Sequence, residues 1–480
     1  MSLCIASRPA RGARRLLARW VGAGCALVVA LMPPLAAYAQ SEERISLIRD
    51  AEIEDILRQD SEPIFVAAGL KPDAVRIHLV GDKELNAFAA GGQQMFLNTG
   101  MIMETANPGQ LRGVIAHETG HIAGGHLARM DTGTRNAMKT FLLTMGMGVL
   151  AALAGAPELG GALVYSSGYF ATLDMLGYTR EQEARADQAA AGYLDTAGMS
   201  GKGLVDFFNN FRYEEVFSGA RKYPYFRSHP LGSERIEALR VRVEKLPNFS
   251  VPDSPAAIEQ HKIMVAKLKG FVNYPSTTMQ EYRESDTSFP ARYARAIAYY
   301  KASDPNRALK AIDALIADHP QNPYLWELKG QVLFESGRVA DAEPAQRKSV
   351  ELKPDQPLLR LNLGQTLLAQ NDAAKTDEAL THLRLVVNAE SDNAFAWRLI
   401  SQAYDGKGEP GMARLAAAEQ NFAMGQKTQA RIFGMRARET LPKDTPEWRR
   451  ATDIVLVSEP TKADLEKLAQ EGSTNPVRKR

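Results

Sequence analysis

The sequence predicts a mainly α-helical protein with a small β-sheet in its first half and an α-solenoid in its second. Three patterns predict this. Apolar residues recur at helical spacing across Glu43–Gly69: Ile45, Ile48, Ile53, Ile56, Leu57, Ile64 and Phe65. Strand-like alternation falls at Val75–Val80, and two short strands flank a Gly-Gly turn within Asn86–Gly100. Beyond residue 300, alanine-centred segments return at a spacing close to 34 residues.

Residues 1–39 read as a secretory signal. Arg8, Arg11, Arg14, Arg15 and Arg19 form a basic start without any acid, Trp20–Met32 is uncharged, and Ala37-Tyr38-Ala39 offers a small-x-small cleavage site. The uncharged run is short for a bilayer crossing, so an uncleaved anchor is the lesser reading. Gly22-Ala23-Gly24 before Cys25 lacks the apolar residue expected of a lipoprotein. Loss of five arginines takes the formal charge from +2 to near −3, which gives no reason to expect nucleic acid as a partner. The two cysteines, Cys4 and Cys25, leave with the signal. The mature chain then has no disulfide and no thiolate, so a metal site must use histidine and carboxylate. An exported chain of this kind fits a bacterial periplasm, and about 440 remaining residues suffice for two or three domains.

In Val75–Val80, His78 points with Arg76 to the polar side and reads as structural. The strand pair at 86–100 has two readings. A free edge beside a catalytic helix can pair with an extended peptide, or the hairpin merely supports the core.

His117-Glu118-Thr119-Gly120-His121 follows an apolar helical stretch, Leu111–Ala116. At i and i+4, His117 and His121 leave one face of a helix, where two neutral imidazoles can share a zinc ion. Glu118 stands beside them as a base for the attacking water. A chance match on an ordinary helix is the bland alternative, so a third ligand is needed. Tyr178–Asp187 supplies a charged helical stretch with Glu183 and Asp187 again at i and i+4. Glu183 is the best third ligand, and Asp187 is placed to accept a ring N–H from a zinc histidine and fix its tautomer. Glu181, about 200° round the helix from Glu183, faces away. The rival is a metzincin-like site using His126. Gly124 matches that pattern, but Leu127 occupies the ligand position and His126 falls one residue short. On a continuous helix His126 lies on the far side from His117, although Gly124-Gly125 could break the helix.

Together, His117–His121, Arg180–Asp187 and Asn86-Ala87-Phe88-Ala89 with its Gly-Gly turn resemble the gluzincin peptidases related to the CAAX prenyl protease, in particular the soluble bacterial branch fused to tetratricopeptide repeats. The resemblance implies His117, His121 and Glu183 as ligands of one zinc ion and Glu118 as general base. It also picks out Arg227-Ser228-His229-Pro230 and, after it, Arg235 as support: a matching segment closes over the active site in relatives. Ala90 departs from the proline that relatives often carry there, which bears on the turn and not on the chemistry. Pro230 holds His229 in an extended conformation suited to a loop side chain entering a cleft. His229 then has three possible roles: a fourth ligand that keeps the enzyme latent, a hydrogen-bond donor to the transition state, or packing.

Residues 140–176 are uncharged apart from Glu158 and Asp174 and rich in glycine and methionine. They read as a helical hairpin that caps the cleft and touches membrane or unfolded substrate, or else as ordinary core helices. Val251-Pro252-Asp253-Ser254-Pro255 ends the peptidase domain (40–250), and a connecting helix occupies 251–284. Ala308, Ala342, Ala379 and Ala413 are spaced by 34, 37 and 34 residues, with Gly330 and Gly364 34 apart. That is the period of tetratricopeptide repeats, assigned to 285–455, whose stacked helix pairs make a concave holding surface. Residues 456–480 read as a tail. The resemblance implies an exported zinc endopeptidase acting on misfolded or stalled outer-membrane β-barrel proteins, with the barrel-assembly machinery as partner through the repeats. The competing reading is a chaperone or adaptor in which the repeats do most of the work.

Overall fold

The computed structural model describes residues 46–91, 93–126, 179–212 and 223–473. The expected signal over 1–39 and the apolar hairpin over 140–176 lie outside the described residues. Among the described residues no helix is long and apolar enough to cross a membrane.

Chain order begins with β1 (Leu47–Ile48) and α1 (Ala51–Ala67). The helix starts later than apolar spacing from Glu43 predicts. Asp50 caps it by accepting a hydrogen bond from the Ile53 amide at 2.9 Å. Leu47 and Ile48 instead pair antiparallel with Val80 and Leu79 of β2 (Arg76–Val80). β3 (Ala87–Ala90) and β4 (Gln94–Asn98) form the expected hairpin. The sheet order is β1-β2-β4-β3, with β2 and β4 parallel, so β3 is an edge strand. His78 stacks on Phe96 at 4.8 Å and meets the Gln94 side chain, in keeping with a structural role.

After α2 (Thr99–Glu104), α3 (Pro108–Ala123) carries His117–His121. Its start follows from the sequence. Asn107 accepts from the Gln110 amide at 3.0 Å, and Pro108 occupies the first turn, where no backbone donor is required. The helix is buried on all sides and shares one core with Ile64 and Phe65 of α1, Met95 and Leu97 of β4, and Phe207. α4 (179–196) crosses it closely. A Cβ at Gly120 would lie 2.9 Å from the Ala186 carbonyl, so glycine inside the motif is what lets α4 approach. There follow α5 (Lys202–Arg212), α6 (Pro224–Ser228) and α7 (Ser233–Glu244).

The connecting segment is two helices rather than one, α8 (Pro255–Val272) and α9 (Pro275–Glu281). The repeats are helix pairs: α10 (Phe289–Lys301) with α11 (Pro305–Asp318), α12 (Pro323–Glu335) with α13 (Val339–Leu352), α14 (Pro357–Leu368) with α15 (Ala373–Ala389), α16 (Ala394–Gly406) with α17 (Pro410–Ala423), and α18 (Lys427–Thr440) with α19 (Pro446–Val457). Ala308, Ala342, Ala379 and Ala413 are each buried in the second helix of a pair. The expected tail contains a further helix, α20 (Lys462–Ser473). Thr461 and Asp464 cap it reciprocally, with the Thr461 amide donating to Asp464 at 2.9 Å, and Arg431 pairs with Asp464.

The start of α1 lies against the repeats. Lys267 of α8, fully buried, pairs with Asp50 at 2.9 Å and Glu52 at 3.2 Å. The Tyr293 hydroxyl donates to Glu52 at 2.9 Å, and Gln356 donates to Asp55 at 3.0 Å. Arg49 pairs with Glu390 at 2.7 Å, and Arg76 with Asp392.

Candidate metal centre

His117 and His121 are buried on α3, Glu183 and Asp187 on α4, and His229 follows α6. One ligand atom from each of His117, His121, Glu183 and His229 lies within 4.8 Å of the others. His117 Nε2 is 3.1 Å from His121 Nε2 and 3.4 Å from Glu183. His121 Nε2 is 3.4 Å from Glu183, and His229 Nδ1 is 3.0 Å from Glu183 and 3.3 Å from His117 Nε2. Four donor atoms thus converge on one point and can hold a metal ion there. The second nitrogen of His229 lies 3.5 Å from Glu118.

Around this group stands a layer of orienting contacts. Asp187 lies 2.9 Å from His117 Nδ1, which turns Nε2 towards the other donors. Arg235, at the start of α7, donates to Asp187 at 2.8 Å, pairs with Glu183 at 2.9 Å and reaches the Pro230 carbonyl at 3.1 Å. It therefore ties both carboxylates of α4 to the segment that carries His229.

Electrostatics follow from burial and charge. Burial raises the pKa of Glu118 against the opposing pull of His229 and His117, which poises its carboxylate to take up a proton. For Glu183 burial works upward, but His229, His117 and Arg235 prevail and hold it well below the usual carboxylate range. Asp187 is likewise lowered: burial is outweighed by the Arg235 guanidinium and by His117. Burial disfavours charge on both histidines of the motif. In His117 the hydrogen bonds to Asp187 and Glu183 overcome it, giving a pKa of about 9, whereas His121, beside that charge, falls to about 2.

The structure brings together His117, Glu118, His121, Glu183, Asp187, His229 and Arg235. His126 is not among the converging donors. It sits behind His121, with 3.0 Å between the two Nδ1 atoms. Glu181 is exposed and pairs with Arg185 at 2.5 Å, away from the site. Sequence reasoning passed over Tyr225. It is fully buried, its ring lies 4.8 Å from that of His229, and its hydroxyl has no hydrogen-bond partner among the described residues. Its position four residues before His229, one turn back, is the signal that could have found it.

Residues 48–243 match the peptidase family M48, and residues 293–357 match a tetratricopeptide repeat. Among curated proteins, the Beta-barrel assembly-enhancing protease of Escherichia coli O157:H7 is 25% identical over 333 residues, 68% of this chain and 66% of that protein. The match therefore spans just under two thirds of that relative's length. The protein of the same name from Yersinia pestis is 23% identical over 361 residues, 74% of this chain and 72% of the relative. Protease HtpX of Pseudomonas putida is 29% identical over 216 residues, 39% of this chain and 72% of the relative. The chain carries a peptidase family M48 domain over residues 48–243, joined to tetratricopeptide repeats.

Proposed function

We propose that this chain is a periplasmic zinc endopeptidase, held latent by His229, that acts on misfolded or stalled outer-membrane β-barrel proteins. The convergence of His117, His121, Glu183 and His229 carries this reading. Zinc bonds of roughly 2.0–2.2 Å in a tetrahedron separate ligand atoms by roughly 3.3–3.6 Å. Five of the separations in the structure, 3.0 to 3.4 Å, come close to that arrangement, and all lie within 4.8 Å. His117, His121 and Glu183 would hold the ion. The chemistry it supplies when bound is polarisation of the scissile carbonyl and a lowered water pKa.

The chain's own residues do the rest. Glu118 takes a proton from the attacking water and returns it to the leaving amine. β3, packed beside α3 and at the edge of the sheet among the described residues, would align an extended substrate as an added strand. The repeats hold the substrate or the barrel-assembly machinery on their inner face. The names of the relatives support the substrate class, and the basic first segment supports export.

Were His229 Nδ1 to join the other three donors on a bound ion, it would take the place that the attacking water needs. Cleavage then depends on a minor state in which the loop has moved. Such states are populated at roughly 0.1–10%, so His229→Ala is expected to raise cleavage of an unfolded substrate by about tenfold or more. The folded, zinc-loaded variant should be compared with wild type at equal stability. A fall of about tenfold makes His229 a transition-state donor instead, and no change makes it packing.

A further inference from the structure

His126 was weighed above as a ligand, and the geometry gives it different work. We propose that His126 is the positioning partner of His121: it accepts the Nδ1–H of that ring and holds Nε2 turned to the zinc. The proposal rests on the zinc reading of the site. Both imidazoles are buried, their Nδ1 atoms are 3.0 Å apart, and their planes meet at 81°. A histidine that binds metal through Nε2 carries its proton on Nδ1, so His121 is the donor in this pair and His126 the acceptor. His117 has the same support from Asp187. The two partners differ in charge. Glu118, Glu183 and Asp187 already place three buried carboxylates around the site, the last two paired with Arg235. A neutral imidazole fixes the second ring without adding a fourth.

The backbone explains how residue 126 reaches this place. Five residues along a continuous helix turn it about 140° from His121. The helix stops instead at Ala123. The Gly124 amide donates to the Gly120 carbonyl at 2.9 Å, and Gly125 takes a φ of 62°, the left-handed conformation that suits glycine. The chain reverses and lays the His126 ring on Gly124. A Cβ at residue 124 would meet His126 Nε2 at 2.6 Å and Cδ2 at 2.9 Å. Gly124-Gly125 is thus part of the metal site, because it lets a residue beyond the helix support a ligand within it.

The test is zinc affinity, measured by chelator competition on the full chain with zinc alone as the probe. Partners of this kind alter metal affinity by about 10–100-fold, so His126→Ala is expected to weaken binding by that factor. His126→Asn, whose Oδ1 can accept the same proton, should return to within about threefold of wild type. Gly124→Ala keeps the imidazole but displaces it, and should weaken zinc in the same direction as His126→Ala. Melting of the metal-free forms separates this from misfolding. Wild-type affinity in both His126→Ala and Gly124→Ala overturns the proposal, as does an Asn variant no better than the alanine. Zinc loss in His126→Ala as complete as in His117→Ala also overturns it and makes His126 a ligand. A wild-type chain that takes up no zinc instead overturns the reading of the site.

Discussion

Glu118→Gln is expected to lower peptide-bond cleavage by about 10²–10⁴-fold, the usual contribution of a general base, while zinc content stays at the wild-type level. The substitution keeps shape and removes the one group that can accept the water's proton. The amide oxygen of glutamine can still accept the backbone hydrogen bond from Ala89 that favours the carboxylate. A neutral amide also removes the cost of burying a charge, so the melting temperature should be at or above that of wild type. Cleavage within a few-fold of wild type would remove Glu118 from the mechanism. The same variant separates the two classes of function. If cells lacking the protein are rescued as well by Glu118→Gln as by wild type, the repeats act as a chaperone or adaptor and proteolysis is secondary.

Arg235→Ala is expected to destabilise the metal-free chain by about 3–5 kcal/mol, because it leaves two buried carboxylates without their cation. Arg235 bridges Asp187 at 2.8 Å and Glu183 at 2.9 Å, and its side chain is only 10% exposed. The pH dependence has a defined sign. Asp187 has a lowered pKa in the folded chain, so its contribution is present above the unfolded value of about 3.9 and is lost as pH falls through the folded value. In the variant, burial acts on Asp187 against His117 alone and its pKa rises. The deficit relative to wild type should therefore be largest near neutral pH and shrink towards acid. Urea melts of the metal-free peptidase at several pH values measure this. A deficit that is constant or grows in acid refutes the charge-pairing account.

Much of the site was legible because helical spacing is a local property. His117 and His121, and Glu183 and Asp187, share faces for reasons contained in five residues each. What brings the two faces together is less visible. Gly120 reads as an ordinary motif residue until α4 is seen lying against it. Arg235 could be named only from resemblance, since no spacing rule links it to residues 48 and 52 positions away. For His126 two outcomes stay open in the sequence: periodicity carries a helix onward to the far side, and Gly124-Gly125 can end it, as the left-handed Gly125 does. Tyr225 was hidden because aromatic residues at helical spacing usually belong to a core. The short strand at Leu47–Ile48 is below the length at which alternation can be read, and the final helix was masked by its charges.

The seam between α1 and the repeats has a consequence for how the chain folds. Asp50 meets Lys267, 217 positions later; Glu52 meets Tyr293 after 241; Asp55 meets Gln356 after 301; and Arg49 meets Glu390 after 341. Contacts of such high order are entropically costly to close and form late. α1 emerges early during synthesis, yet the residues at its start find their last partner, Glu390, only when four-fifths of the chain exists. Nascent peptidase core can form early, but its registration against the solenoid is a terminal event. An abortive chain that stops early in the repeats would leave Asp55 and Arg49 without their partners Gln356 and Glu390, marking it as unfinished.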